Sequence, residues 1–291
     1  MKEAILYKKI DVQTVQCHVC DHRCVIKNNK RGICGVRENQ NGMLFSLVYG
    51  KLIAEHIDPI EKKPLNHFLP GTFTYSIATV GCNFKCLHCQ NADISQFARE
   101  QKVGSAPMVP GRNVQPQEVV SAAIKSGCPS ISYTYTEPTV FIEFALETMI
   151  MAKQKELKNI WVSNGYFTEE TFKLIEPYLD AINVDLKFFH EESYAKICGA
   201  RLAPVIETIK RLADSSVHQE ITTLVIPGIN DSDGELTDIA RFIAEVDSNI
   251  PWHVSAFYPA YKLTDKSPTS RFTLEKAQKI GLAAGLKFVF I

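Results

Sequence analysis

From Gly81 to Gln90 the chain reads Gly-Cys-Asn-Phe-Lys-Cys-Leu-His-Cys-Gln, a C-x3-C-x2-C run on Cys82, Cys86 and Cys89. Thiols this close must share one short loop, so the fold has to leave room for a metal centre beside it. A cubane [4Fe–4S] cluster takes four ligands, and cysteine thiolates are the usual ones. Three thiolates leave one iron with an open coordination position, where a small molecule can bind and react. The plain alternative is a zinc knuckle completed from elsewhere, with His88 the nearest further ligand. Zinc sites favour pairs of C-x2-C over this asymmetric triple.

The bulk of the sequence narrows the setting. A chain of 291 residues is long enough for one large α/β domain or two modest ones, with a substantial core in either case. Lys plus Arg equals Asp plus Glu at 32 each, and no dense basic cluster stands out, so neither nucleic acid nor an anionic membrane is expected as a partner. The opening Met1–Asp11 is mixed and charged, unlike a signal peptide, and no apolar run approaches a bilayer span. A soluble, cytoplasmic protein is expected. In that compartment nine cysteines argue for metal ligation rather than disulfides.

From Phe73 onward, short apolar runs alternate with amphipathic stretches. Strands are expected at Phe73–Thr79, Ser130–Tyr135, Asn159–Ser163, Ala181–Leu186, Gln219–Ile226, Trp252–Phe257 and Leu286–Ile291. Helices are expected at Pro116–Ser126, after the Thr168 cap, at Asp231–Asp247 and at Thr273–Ala284. Such alternation means βα units around a parallel sheet, here a partial (β/α)6-type barrel with its chemistry at the carboxyl ends of the strands. The cysteine triple follows the first strand at that end. The first seventy or so residues differ: four cysteines, few helical signals, and a pair of short strands within Gly42–Ile57. The expected division is a Cys-rich metal-binding module with a covering loop over 1–71, then the barrel over 72–291. The segment Asp58–Gly71, with three prolines, is expected as an ordered loop over the barrel.

A three-cysteine loop directly after an apolar strand resembles that of the radical S-adenosylmethionine (SAM) enzymes, in which SAM chelates the fourth iron and is cleaved to a 5′-deoxyadenosyl radical. SAM there needs acceptors for its ammonium, partners for carboxylate and ribose, and an apolar slot for adenine. The strand-end loops supply candidates: Glu137 before Pro138, Asn164 in Ser163-Asn164-Gly165, and Asp185 with Lys187, which share a face by the period of two. Glu220, Thr222 and Phe257 extend the candidate cofactor set, with His88 beside the cysteines. An isolated acid at a strand end is usually a helix cap or surface charge. The case for Glu137, Asn164, Asp185 and Lys187 is that all share the rim with the cysteines. Cys128 and Cys198 read as buried small apolar residues, and His56, His190 and His218 as structural histidines.

The resemblance extends over nearly the whole chain. Cys17-His-Val-Cys20 through Gly35-Val36-Arg37, Asp58-Pro-Ile-Glu-Lys-Lys-Pro64, Tyr133-Thr-Tyr-Thr-Glu-Pro138, Val184-Asp-Leu-Lys187 and Trp252-His-Val-Ser255 resemble the radical SAM member of the AmmeMemoRadiSam group. That group is similar to pyruvate formate-lyase activating enzymes. The resemblance implies a radical SAM barrel, a [4Fe–4S] cluster on Cys82, Cys86 and Cys89, the SAM ammonium on Glu137, and Asn164, Asp185 and Lys187 near carboxylate and ribose. It further implies an oxidoreductase fed by flavodoxin or ferredoxin. By analogy its substrate is a glycyl-radical-type protein partner; a small-molecule substrate, or a non-catalytic metal-bearing scaffold, are the alternatives. The Gly-Gly-Glu glycines usual before the glutamate are absent. Val162 stands where activating enzymes carry an acid for a monovalent cation.

Cys17, Cys20, Cys24 and Cys34 follow C-x2-C-x3-C-x9-C. Four neighbouring thiolates make a closed tetrahedral site for structural zinc, or hold an auxiliary iron–sulfur cluster able to relay electrons. His18 or His22 could replace one thiolate. A metal there would hold together a region too small to have much core of its own.

Overall fold

The computed structural model of the chain describes residues 1–100 and 109–291. Its centre is an eight-stranded sheet: β1 (Ala54–Pro59), β2 (Phe73–Ala78), β3 (Ser130–Tyr133), β4 (Lys158–Ser163), β5 (Ala181–Asp185), β6 (His218–Val225), β7 (Trp252–Ala256) and β8 (Val289–Phe290). The strands lie side by side in chain order; β2 to β8 are parallel, while β1 runs antiparallel to β2. No pairing joins β1 to β8, so the sheet curls into an open, partial barrel as expected. Interior strands such as β3 are buried at every residue, as parallel strands covered on both faces must be.

The connecting helices start where side chains can satisfy their first N–H groups. α1 (Pro116–Lys125) opens with a Gln115/Glu118 capping box, and α3 (Glu169–Ile175) on the Thr168 hydroxyl. α5 (Asp233–Asp247) and α6 (Arg271–Ala283) open on Ser232 and Ser270. α2 (Ile142–Gln154) and α4 (Ala203–Ala213) complete the outer layer; α4 turns Val205, Thr208, Ile209 and Leu212 to the sheet. Among the described residues no helix is long and apolar enough to cross a membrane.

The amino-terminal region forms two small antiparallel sheets, Tyr7–Lys9/Thr14–Cys17/Val25–Lys27 and Lys2–Glu3/Met43–Ser46/Arg37–Gln40. Charged anchors fix it to the barrel. Buried Arg37 pairs with buried Glu143 of α2, and Arg23 grips Glu170 of α3 through two bonds of 2.8 and 2.9 Å. The expected strand pair within Gly42–Ile57 divides differently: Met43–Ser46 stays in the small sheet, while Ala54–Pro59 crosses to become the edge of the main sheet. The segment after it reaches the cavity at Lys62 and Lys63. Ile60 and Leu65 pack against Ile160 and Ala181 at the starts of β4 and β5, and Asn183 donates to the Pro64 carbonyl at 2.8 Å, so the loop enters the barrel from beneath. At the far edge only Val289–Phe290 of the expected Leu286–Ile291 strand pairs, because β7 offers it just two partners, Trp252 and His253.

Candidate active site

The three-cysteine loop leaves β2 through Gly81, whose φ is +102°. A methyl group there would sit 2.7 Å from Val36 Cγ1, so glycine is required both for the backbone and for the approach of the amino-terminal region. The loop is held by its own main chain: Lys85 N–H donates to the Cys198 carbonyl (2.9 Å) and Leu87 N–H to Ile197 (3.0 Å). Phe84 N–H reaches Cys82 Sγ at 3.3 Å, and Cys89 Sγ lies 3.1 Å from Ser95 Oγ.

Cys82, Cys86 and Cys89 all face a cavity of about 550 Å³ at the carboxyl end of the barrel. Glu137, Asn164, Asp185 and Lys187 line it too, as do His88 and Thr222. Glu137 is buried, and its carboxylate is fixed from three sides. One oxygen accepts from Thr139 Oγ1 (2.5 Å) and Ser163 Oγ (2.8 Å); the other accepts from Asn164 N–H (2.9 Å) and keeps spare capacity toward the cavity. Burial raises its pKa above the usual carboxylate value, and these hydrogen bonds oppose the rise. Asn164 Nδ2 donates to Asn83 Oδ1 at 2.7 Å, tying the glutamate loop to the cysteine loop.

Across the cavity Lys187 Nζ donates to Asp185 Oδ2 at 2.9 Å. Burial works against the ammonium, but Asp185, Cys86 and Cys198 outweigh it and hold its pKa well above the usual value. The thiols differ among themselves. Burial pushes Cys82 and Cys89 up, whereas a hydrogen bond from Cys198, aided by Lys187, brings Cys86 down. His88 is buried beside them; burial and the nearby Lys187 charge push its pKa down to about 3, so the imidazole is neutral, and its Nδ1 has no partner. The Thr222 hydroxyl is likewise unpartnered. Val162, Leu224 and Ala256 supply apolar wall.

Two candidates do not reach this space. Glu220 lies one layer lower inside the barrel, with no exposure. It accepts from His218 Nε2 (3.0 Å), His253 Nε2 (2.6 Å) and the N–H groups of Asn66 (3.0 Å) and His67 (2.8 Å), so it anchors the loop that enters from beneath. Phe257 falls just past the end of β7 and turns into the core, where its N–H bonds Thr269 Oγ1 at 2.9 Å; Ser255 and Ala256 line the cavity in its place.

Three contributors carried no sequence signal for this role. Cys198, read as apolar filling, lies against Cys86. Tyr135 lines the cavity at φ +62°, a strained value for a tyrosine, with its carbonyl held by Asn91 Nδ2 at 2.9 Å and its hydroxyl on Asp58. Lys63, 1% exposed, donates to Asp58 at 2.7 Å and sits 4.4 Å from the centre of the Tyr135 ring. Lys62 and Lys63 of the Asp58-Pro-Ile-Glu-Lys-Lys-Pro stretch thus line the cavity.

The donor set fits an iron–sulfur cluster that keeps one iron open. Three cysteines line one space together with a braced carboxylate, an ion pair and two unpartnered polar atoms. Four further cysteines, Cys17, Cys20, Cys24 and Cys34, line a separate, smaller cavity of about 20 Å³. His18 Nδ1 and His22 Nε2 are engaged elsewhere, on Arg23 (2.7 Å) and on the Asn83 carbonyl (2.9 Å).

Comparison with known proteins agrees with this geometry. A family model described as the Radical SAM superfamily matches residues 76–243. "Uncharacterized protein MJ0808" of Methanocaldococcus jannaschii is 44% identical over 292 aligned residues, covering 100% of this chain and 85% of that protein. A pyruvate formate-lyase-activating enzyme of Staphylococcus epidermidis is 23% identical, over 62% of this chain and 72% of its own. Among solved structures, Streptococcus suis SuiB bound to S-adenosylmethionine has the same fold with a TM-score of 0.56 at 14% identity; the match covers 76% of this chain and 51% of that one.

Proposed function

The chain belongs to the radical SAM superfamily, and from that premise we propose that it cleaves SAM reductively at a [4Fe–4S] cluster held by Cys82, Cys86 and Cys89, directing the product radical at a hydrogen atom of a protein substrate. It is an enzyme of the radical SAM type, so the reading as a non-catalytic scaffold falls away. The observation that carries the proposal is one cavity lined by those three cysteines together with Glu137, Asn164, Asp185 and Lys187.

When bound, the cluster supplies one electron and SAM the 5′-deoxyadenosyl group that leaves as a radical. The chain's own residues do the rest. Glu137, locked by Thr139, Ser163 and Asn164, presents its free lone pairs to the SAM ammonium. Lys187, charged and oriented by Asp185, takes the SAM carboxylate, while Asp185 and Asn164 bond the ribose side. Val162, Leu224 and Ala256 exclude water around the adenine. His88 on the cavity wall is held neutral by burial and by the nearby Lys187 charge. A flavodoxin or ferredoxin is the proposed electron source. The protein substrate rests on the likeness to relatives named as activating enzymes.

The test is anaerobic reconstitution followed by incubation with SAM and dithionite, with 5′-deoxyadenosine measured by chromatography. Wild type should produce it and Cys86→Ala should fall to background. Equal formation by both proteins would sink the proposal.

A further inference from the structure

We propose that Cys17, Cys20, Cys24 and Cys34 hold a second, redox-active metal centre, a [4Fe–4S] cluster ligated by four thiolates, and that Arg37 is its positioning residue. The four cysteines line one small, largely apolar cavity. His22 on that wall holds the Asn83 carbonyl through Nε2, and His18, outside the lining, meets Arg23 through Nδ1 and keeps Nε2 unpartnered, so the donors lining the cavity are chiefly the four sulfurs. Arg37 forms part of the same wall and is 2% exposed. Its Nη2 is taken by Glu143, but Nε and Nη1 have no partner. Two buried, unpaired N–H donors beside four thiols are costly unless they meet negative charge. Sulfurs of a thiolate-ligated centre supply that charge, and N–H···S bonds favour its more negative, reduced form.

Contact with the first site favours iron over structural zinc. A methyl group on Gly81 would lie 3.3 Å from the Cys34 carbonyl, so the two cysteine loops touch. Arg99 fastens them together, donating to the Ile33 carbonyl at 2.8 Å and to the Cys82 carbonyl at 2.9 Å. His22, on the wall of the four-cysteine cavity, bonds the Asn83 carbonyl on the other side. Ile33, also on the wall of the four-cysteine cavity, is 46% exposed. The centre therefore lies near both solvent and the three-cysteine loop. There it accepts one electron from a reduced flavin or iron–sulfur protein and passes the same electron inward, with no bond made or broken. That relay role rests on the proposed radical chemistry; the metal assignment does not.

The experiment uses the whole chain carrying Cys82→Ala, Cys86→Ala and Cys89→Ala together, purified without oxygen. Iron, acid-labile sulfide and zinc are assayed, and electron paramagnetic resonance spectra are taken after dithionite with and without SAM. The expected result is about four irons and four sulfides per chain and a reduced-cluster signal that SAM does not alter. Zinc without iron, or no metal, in a protein of wild-type circular dichroism would overturn the assignment. If the triple variant does not fold, wild type decides: about eight irons per chain support the second cluster, and about four overturn it. In the retained signal, Arg37→Gln should lower the midpoint potential and Arg37→Lys should recover part of the shift. An unchanged potential in Arg37→Gln would remove Arg37 from the assignment. Failure of SAM cleavage with both clusters present would instead count against the proposed function.

Discussion

Cys82, Cys86 and Cys89 face a cavity of about 550 Å³ rich in polar groups, whereas Cys17, Cys20, Cys24 and Cys34 close around about 20 Å³ with mostly apolar neighbours. The two regions touch, yet their surroundings differ as their thiol counts do. Where one ligand is missing, the barrel provides space, a braced carboxylate and an ion pair for an incoming molecule. Beside the four thiols the lining is largely apolar and holds no carboxylate. Thiol number and cavity size thus differ together, the smaller set of thiols standing beside the larger space.

Removing one thiol from each set is the strongest way to break this contrast. Cys86→Ala should reduce 5′-deoxyadenosine formation to background while leaving the circular dichroism spectrum and melting curve close to wild type. Cys20→Ala should instead loosen the amino-terminal sheets, read as faster amide hydrogen exchange over Thr14–Cys17, with exchange in β3 to β5 unchanged. Equal loss of structure in both variants would remove the distinction.

Glu220→Gln perturbs the barrel below both sites. Burial alone would raise the Glu220 carboxyl, but His218, His253 and two backbone N–H groups outweigh it and bring it down to about 2. A lowered folded-state pKa gives stability that is fully present above the unfolded value near 4.5 and is lost as pH falls toward 2. The shift corresponds to roughly 3 kcal/mol at neutral pH. Glu220→Gln should therefore melt several degrees lower at pH 7, with the gap to wild type closing between pH 4.5 and 2 and SAM affinity unaltered. A gap that widens on acidification would refute the anchoring role.

Gly81→Ala acts where the two regions meet. Strain at positive φ and the close approach to Val36 should cost about 1–3 kcal/mol and lower the iron content of both sites together. Loss from one site alone would show that they are mechanically separate. Glu137→Gln is the smallest and most local change. It keeps the shape but removes the charge, and should weaken SAM binding about tenfold, some 1.4 kcal/mol, in calorimetric titration. Unchanged affinity would take the ammonium contact away from Glu137.

Much of this was legible in the sequence because the chemistry sits in short stretches. The cysteine triple, Glu137–Pro138, Asn164–Gly165 and Asp185/Lys187 each follow a strand recognisable from its apolar run, and strand ends of a parallel sheet share one rim. What failed was depth. Glu220 and Thr222 point to the same side of β6, and period two tells the face but not the layer; only the loop from Ile60 to His67, entering from below, decides that Glu220 is taken. Phe257 failed because β7 ends at Ala256, beyond which alternation no longer holds. Cys198 joins Cys86 from far along the chain, and the positive φ of Tyr135 has no residue-type signal.

Chain order and spatial order coincide across the main sheet, so each new strand docks beside the one made just before it. During synthesis all seven cysteines of the two sites emerge by Cys89, before Glu137, Asp185, Lys187, Thr222 and Ser255 exist. Both ligand sets are complete while the walls that will enclose the larger cavity are still unmade. Under the proposed metal assignments, access to both ligand sets is widest at that stage, before the later strands close the larger cavity.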